Sequence, residues 1–186
     1  GFWRFVVLRS STASGRWLVN IVTAFEDAAA VNPLAARLRG AFPEVTAVVN
    51  NVSARKAAIA VGEFERLVAG DTCLRDRIGR YDFEISANSF FQTNTRSAER
   101  LYERVAAYAG LDGGETVLDL YSGTGTIPIV LSGGCREVIG IEMVASAVAD
   151  ARANCLRNGI TNCRFVLGDI QGCLPALEVR PEVAVI

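Results

Sequence analysis

The stretch Val117-Leu118-Asp119-Leu120-Tyr121-Ser122-Gly123-Thr124-Gly125-Thr126-Ile127 admits few folds. A short apolar run, of strand length, passes directly into two glycines, and a helix-compatible segment follows at once. A buried strand feeding a helix through a tight turn is the repeating unit of parallel α/β sheets. The glycines let the backbone pass close to a ligand, and the N–H groups at the helix start favour a carboxylate or phosphate. Pro128 suits this position because the first helical turn needs no N–H from it. A Gly-x-Gly turn alone is weak evidence, since many are structural, so the flanking sequence has to decide.

The flanks alternate helix and strand. Asn94 or Thr95 can cap a helix with Ala98, Leu101, Tyr102, Val105, Ala106 and Ala109 on one face, and Asp112-Gly113-Gly114 breaks it. Strands are predicted over 116–120, 137–141, 164–167 and 183–186, and a helix over 126–131. A further helix carries Val144, Ala147, Val148, Ala151 and Cys155, with Asn158-Gly159 as a left-handed stop. This pattern predicts a doubly wound, Rossmann-like parallel sheet over residues 89–186. The last strand runs into the chain end, and Gly1 stands where an initiator Met would, so the chain reads as a fragment whose sheet is truncated after its fourth strand.

Residues 1–88 read as a smaller, β-rich α+β domain. Residues 2–8 and 17–23 form a hairpin pattern around Ser10-Ser11-Thr12-Ala13-Ser14-Gly15. Asn32-Pro33 is expected to open a helix, and strands are expected over 46–52, 57–61 and 83–85.

The site candidates follow from position. Glu142 lies 19 residues beyond Gly123, at the end of the next strand, where an acid can accept both ribose hydroxyls of an adenosine. A dinucleotide fingerprint needs a third glycine three residues after Gly125; Pro128 stands there, which disfavours a nicotinamide cofactor. Asp119, just before the turn, suits the ammonium group of S-adenosylmethionine. Asp169, in Gly168-Asp169 after the third strand, is a candidate acceptor for the adenine amino group, although Gly-Asp is also a common turn.

Composition removes several classes. The chain has no histidine, so a Ser-His-Asp triad and a His-based metal site are absent from these residues. Its five cysteines include no C-x-x-C pair, which argues against a disulfide framework or a metal site and for small buried apolar residues. Residues 1–80 hold eleven basic against seven acidic residues, and 81–186 hold eight against thirteen. An anionic partner would therefore prefer the first half, although the excess is modest beside a nucleic-acid-binding stripe. Nothing resembles a signal peptide or a membrane span, so the expected location is cytoplasmic.

A second segment, Ile85-Ser86-Ala87-Asn88-Ser89-Phe90-Phe91-Gln92-Thr93-Asn94-Thr95, precedes the first helix of the alternating half. With the glycine turn, Gly-Ile-Glu at 140–142 and Asn154…Asn158-Gly159, it resembles the RNA uracil-5-methyltransferase family. The likeness is close over the second half and loose over the first. It implies a class I methyltransferase fold, S-adenosylmethionine as cofactor, rRNA or tRNA as partner and 5-methyluridine as product. It further implies that Gln92, Tyr121, Thr126, Glu142 and Asp169 line the cofactor site, that Gly123 and Gly125 give backbone access, and that Phe90 meets a flipped base. In the family a cysteine thiolate attacks C6 of the uracil; that cysteine and the preceding Asp-Pro-Pro would lie beyond Ile186, so this chain alone is expected to be inactive. Ser122 departs from the cysteine that the family often has there. A class I methyltransferase with another substrate, or a module that only binds cofactor or RNA, are the alternatives.

Overall fold

The computed structural model describes residues 1–54 and 63–186. The strand predicted over 57–61 lies outside the described residues. The chain forms two compact units, Gly1–Asp76 with Ser86–Asn88, and Arg77–Ile85 with Ser89–Ile186. The chain thus interleaves instead of dividing once between 88 and 89.

In the first unit, β1 (Trp3–Ser10), β2 (Trp17–Thr23), β3 (Val45–Val52) and β4 (Phe64–Gly70) form a sheet in the order β1-β2-β3-β4. The β1–β2 and β3–β4 pairs are antiparallel; β2 and β3 are parallel and joined through α1 (Ala28–Ala41). Val19, Ile21 and Val48 pack under Val31 and Ala35 of the helix. Leu18, Ala47 and Val49 face the other way, against Leu74 and Ala87. Central strands covered on both faces read as continuous apolar runs, which is why β2 and β3 were recognisable.

Helix α1 corrects one expectation. It opens at Ala28, not at Asn32-Pro33: Asp27 is the N-cap, accepting the Ala30 N–H at 3.1 Å, and Pro33 lies inside the helix. Three successive alanines after a capping aspartate outweigh the local penalty of an interior proline. Segment 86–88 belongs to this unit because a chain of amides holds it. Asn88 Nδ2 donates to Asn51 Oδ1 at 3.0 Å and to Glu65 Oε2 at 2.8 Å, and Asn51 Nδ2 donates to Asn20 Oδ1 at 2.8 Å.

Two strands escaped the sequence reading, β4 and β5 (Leu74–Ile78). In β5, Leu74, Asp76 and Ile78 are buried and Arg75 and Arg77 exposed, a strand alternation hidden by its buried acid. Asp76 Oδ1 accepts the Ser11 hydroxyl and the Ala13 N–H, both at 3.0 Å, which fixes the β1–β2 turn. Strand β6 (Tyr81–Ile85) pairs with β5.

The second unit contains the parallel sheet of β7 (Thr116–Asp119), β8 (Glu137–Glu142), β9 (Cys163–Leu167) and β10 (Val183–Val185), in the order β10-β7-β8-β9. Helix α2 (Thr95–Ala109) precedes it, capped by Asn94, which accepts the Ser97 N–H at 3.0 Å. Of the expected α2 face, Ala98 and Tyr102 are buried, whereas Leu101 is exposed. Helices α3 (Thr126–Leu131) and α4 (Ala145–Arg157) link β7 to β8 and β8 to β9. Ile129, Val148, Ala151 and Cys155 from these helices form one core with Phe83, Phe91, Tyr102 and Phe165. Leu118, Ile139 and Ile141 face the opposite side, towards the single turn α5 (Ile170–Cys173). The expected α/β, Rossmann-like sheet is therefore present, preceded by a β-rich sheet. No helix among the described residues is long and apolar enough to cross a membrane.

Strand order reverses at β7, with β8 and β9 on one side and β10 on the other. At such a switch point the connections leave to opposite faces, and a crevice opens beyond the carboxyl ends of the strands.

Candidate functional site

Strand β7 ends at this crevice with Asp119, which is 3% exposed. Its Oδ1 accepts the Tyr121 N–H at 3.2 Å, and its Oδ2 is buried with no hydrogen-bond partner among the described residues. Burial, with a smaller contribution from the nearby Glu142 charge, pushes the carboxyl up from 3.8 to about 6, although the Tyr121 N–H opposes this. A buried acceptor left unsatisfied costs free energy, so the orphan oxygen marks a place where a donor belongs.

The turn after Asp119 depends on its glycines. Gly125 adopts φ +80° as the N-cap of α3, and a Cβ there would stand 3.0 Å from Ala151 Cβ and from Phe165 Cζ. Gly123 adopts φ +52°, and a Cβ on it would meet nothing within 4 Å, so its outer side is open. The Gly123 N–H, however, is not free for a ligand. It donates to Glu142 Oε2 at 3.0 Å, and the Val144 N–H donates to Glu142 Oε1 at 2.8 Å. Glu142 therefore clamps the glycine turn to the end of β8, a task that its spacing did not reveal. Each carboxylate oxygen keeps acceptor capacity for one further donor.

The other candidates vary in setting. Tyr121 is 69% exposed beside the turn. Thr126 Oγ1 lies 3.2 Å from the Tyr102 hydroxyl, so α2 and α3 share a hydrogen bond at the helix start. Burial, the largest influence, pushes the Tyr102 phenol up, against the opposing effect of that bond. Asp169 is exposed at the end of the loop after β9 and caps α5, its Oδ1 accepting the Gly172 N–H at 2.7 Å. The Phe-Phe pair splits: Phe91 is 8% exposed, its ring 5.8 Å from that of Phe83, while Phe90 is 68% exposed. Gln92, next along, is half-buried.

One required residue had not been singled out as a packing position. At Gly140, in the middle of β8, a Cβ would stand 2.6 Å from Ser122 Cβ and 2.8 Å from Phe165 Cδ1. The glycine admits the turn to the sheet. Its only signal in the sequence is its place two residues before Glu142.

Residues 111–183 match a family model described as a methyltransferase domain. The methyltransferase-domain match thus covers β7, the glycine turn, Glu142 and Asp169. An uncharacterized RNA methyltransferase of Chlorobaculum tepidum is 46% identical over 172 residues, which are 92% of this chain and 36% of that protein. One of Lactiplantibacillus plantarum is 34% identical over 189 residues, 100% of this chain and 41% of that protein. The chain thus spans well under half the length of these relatives. Among solved structures, the Pyrococcus abyssi tRNA (uracil-54, C5)-methyltransferase in complex with S-adenosyl-L-homocysteine is similar at TM-score 0.73 and 30% identity. That match covers 91% of this chain and 40% of the archaeal one.

The five cysteines differ in setting. Cys135 and Cys155 are buried. The proximity of the Cys155 and Cys163 thiols holds the first down and pushes the second up, and burial raises Cys135. Cys73 lies in the first unit, and Cys173 packs beneath β8 with Leu118 and Ile141.

Proposed function

We propose that this chain carries the S-adenosylmethionine-binding part of an RNA methyltransferase that forms 5-methyluridine in rRNA or tRNA. The observation that carries the cofactor half of this reading is the buried Asp119 oxygen at the switch point, which has no partner among the described residues, at the start of the turn whose Gly123 has an open outer side. An ammonium group is the donor that satisfies an ionised acid there. Glu142 has acceptor capacity left for ribose hydroxyls, and Asp169 one oxygen beyond its cap bond for an adenine amino group. Gln92, Tyr121 and Thr126 complete the proposed lining, with Gly125 shaping the turn. When bound, S-adenosylmethionine would supply the methyl group from its sulfonium.

The uridine half rests on Phe90. A large ring left exposed beside a buried neighbour is a platform for stacking an extruded base. The likeness to the Pyrococcus tRNA enzyme supports the same reading. We take residues 1–88, apart from the 77–85 segment that belongs to the second unit, as the smaller RNA-facing domain and 89–186 as the cofactor domain, in a cytoplasmic protein. Cys135 and Cys155 are buried and Cys73 lies in the first unit, so we expect these 186 residues alone to transfer no methyl group.

Two experiments test the proposal. Calorimetry should show S-adenosylhomocysteine binding in preference to NADH; the reverse order would end the cofactor reading. Methylation at C5 must displace the hydrogen there. The full-length protein with RNA tritiated at uridine C5 should therefore release tritium to water, and methyl transfer without release would point to another atom.

A further inference from the structure

Asn154 on α4 and Asn158, the residue that caps its C-terminus one turn on, both direct their amides at one edge of β6. Asn154 Oδ1 accepts the Glu84 N–H at 2.7 Å, and its Nδ2 donates to the Glu84 carbonyl at 3.2 Å. Asn158 repeats the pattern two residues back along the strand. Its Oδ1 accepts the Asp82 N–H at 3.0 Å, and its Nδ2 donates to the Asp82 carbonyl at 2.7 Å. Alternate residues of a strand present their N–H and C=O to the same side, so the two side chains take the place of a neighbouring strand.

Asn154 does one thing more. Its Nδ2 also donates to the Thr124 carbonyl, at 3.2 Å, inside the glycine turn. The residue is completely buried, so its amide depends on these partners. Arg157, on the next turn of α4, forms an ion pair with the Glu84 carboxylate, which fastens the same point of β6 a second time. Beside Glu84 stands Phe83, whose ring packs on Phe91, the residue between Phe90 and Gln92. A continuous path therefore runs from the glycine turn through one amide to the Phe-Phe-Gln segment, all within the second unit.

We propose that Asn154 is a positioning residue that holds the glycine turn at Thr124 in register with β6, and hence with the segment bearing Phe90 and Gln92. Asn154 itself need touch neither cofactor nor base. The assignment of those two segments rests on the function proposed above; the mechanical link does not.

Asn158 provides the control, because it makes the same kind of bonds to β6 and none to the turn, its further bond going to the Asn154 carbonyl at the helix end. Asn154→Ala and Asn158→Ala should both lower the melting temperature. Only Asn154→Ala should weaken S-adenosylhomocysteine, by about tenfold, the loss expected for one hydrogen bond of ordinary net strength. Equal weakening in both variants, or none in a folded Asn154→Ala protein, would overturn the proposal.

Hydrogen exchange of the wild-type chain tests the link even where Asn154→Ala fails to fold or no cofactor binds. The Gly125 N–H, bonded to the Ser122 carbonyl at 2.8 Å, should exchange through the same opening as the Glu84 N–H, with the same denaturant dependence. An independent, easier opening of Gly125 would refute the mechanical link. Failure of the wild-type protein to bind S-adenosylhomocysteine would instead count against the proposed function.

Discussion

Replacing Asp119 by Asn removes a buried charge while keeping the shape of the side chain, so its effect can be worked out from the titration. Folding raises this carboxyl from 3.8 to about 6, which means that the folded protein prefers the protonated form. The sign follows: the favourable contribution is complete below the unfolded value near 4 and is lost as pH rises through about 6. At 1.36 kcal/mol per pH unit, the difference amounts to about 3 kcal/mol. Relative to wild type, the Asp119→Asn protein should therefore gain about 3 kcal/mol of stability between pH 4 and pH 8, whatever its offset at pH 4. Urea denaturation of both proteins across that range measures the difference, and contributions from titrating groups that do not interact with Asp119 cancel in it. Saturating S-adenosylhomocysteine should reverse the ranking near pH 8, because an ammonium group draws its affinity from the ionised acid. A stability difference that does not change with pH would refute the buried-charge reasoning. A variant that binds S-adenosylhomocysteine as tightly as wild type at pH 8 would remove Asp119 from the ammonium site.

Glu142→Ala should weaken S-adenosylhomocysteine by at least the 1.5–3 kcal/mol typical of roughly one bond to a charged group, since the clamp on Gly123 goes as well; calorimetry decides. Gly140→Ala should destabilise the second unit by about 1–3 kcal/mol in denaturant, because its methyl would overlap Ser122 and Phe165, and a neutral result would show that the turn can withdraw. Phe90→Ala should leave the melting temperature nearly unchanged, as an exposed ring adds little to a core. In the full-length protein it should lower single-turnover methylation by a factor equivalent to about 1–3 kcal/mol; wild-type turnover would exclude the stacking role. Incubation of these 186 residues with labelled S-adenosylmethionine and unmodified RNA should leave the RNA unlabelled, and transfer abolished by a Cys substitution would show that one of the five thiols is active.

The parts of the site that could be read in advance are those set by local backbone demands. A strand ending in Asp119, a turn needing positive φ and a helix opening at Thr126 are imposed within ten residues, and each leaves its own residue types in order. Parallel strands buried on both faces announce themselves in the same way. Roles set by a distant partner were not legible. Phe90 and Phe91 are chemically identical, and only packing on Phe83 decides which one turns inward. The spacing put Glu142 at the end of a strand, where β8 has it, but its grip on Gly123 needs the two strands side by side. The start of α1 was missed for a different reason: Asp27 and the alanines after it were a sufficient local signal, and Pro33 drew attention away from them.

Asn154 falls between these cases. Ala147, Ala151, Asn154 and Asn158 recur at helical spacing, so an amide on the inward face of α4 follows from the periodicity alone. A buried amide must find partners. The sequence therefore implied that α4 holds something other than the sheet, without saying what. The partner was hidden because β6 lies 70 residues away along the chain and offers only backbone, which carries no side-chain signature. Backbone partners of this kind recur at the site, in the Gly123 and Val144 amides on Glu142 and the Thr124 carbonyl on Asn154. A polar residue on an apolar helix face next to a glycine turn is thus better read as a support for that turn than as a ligand contact.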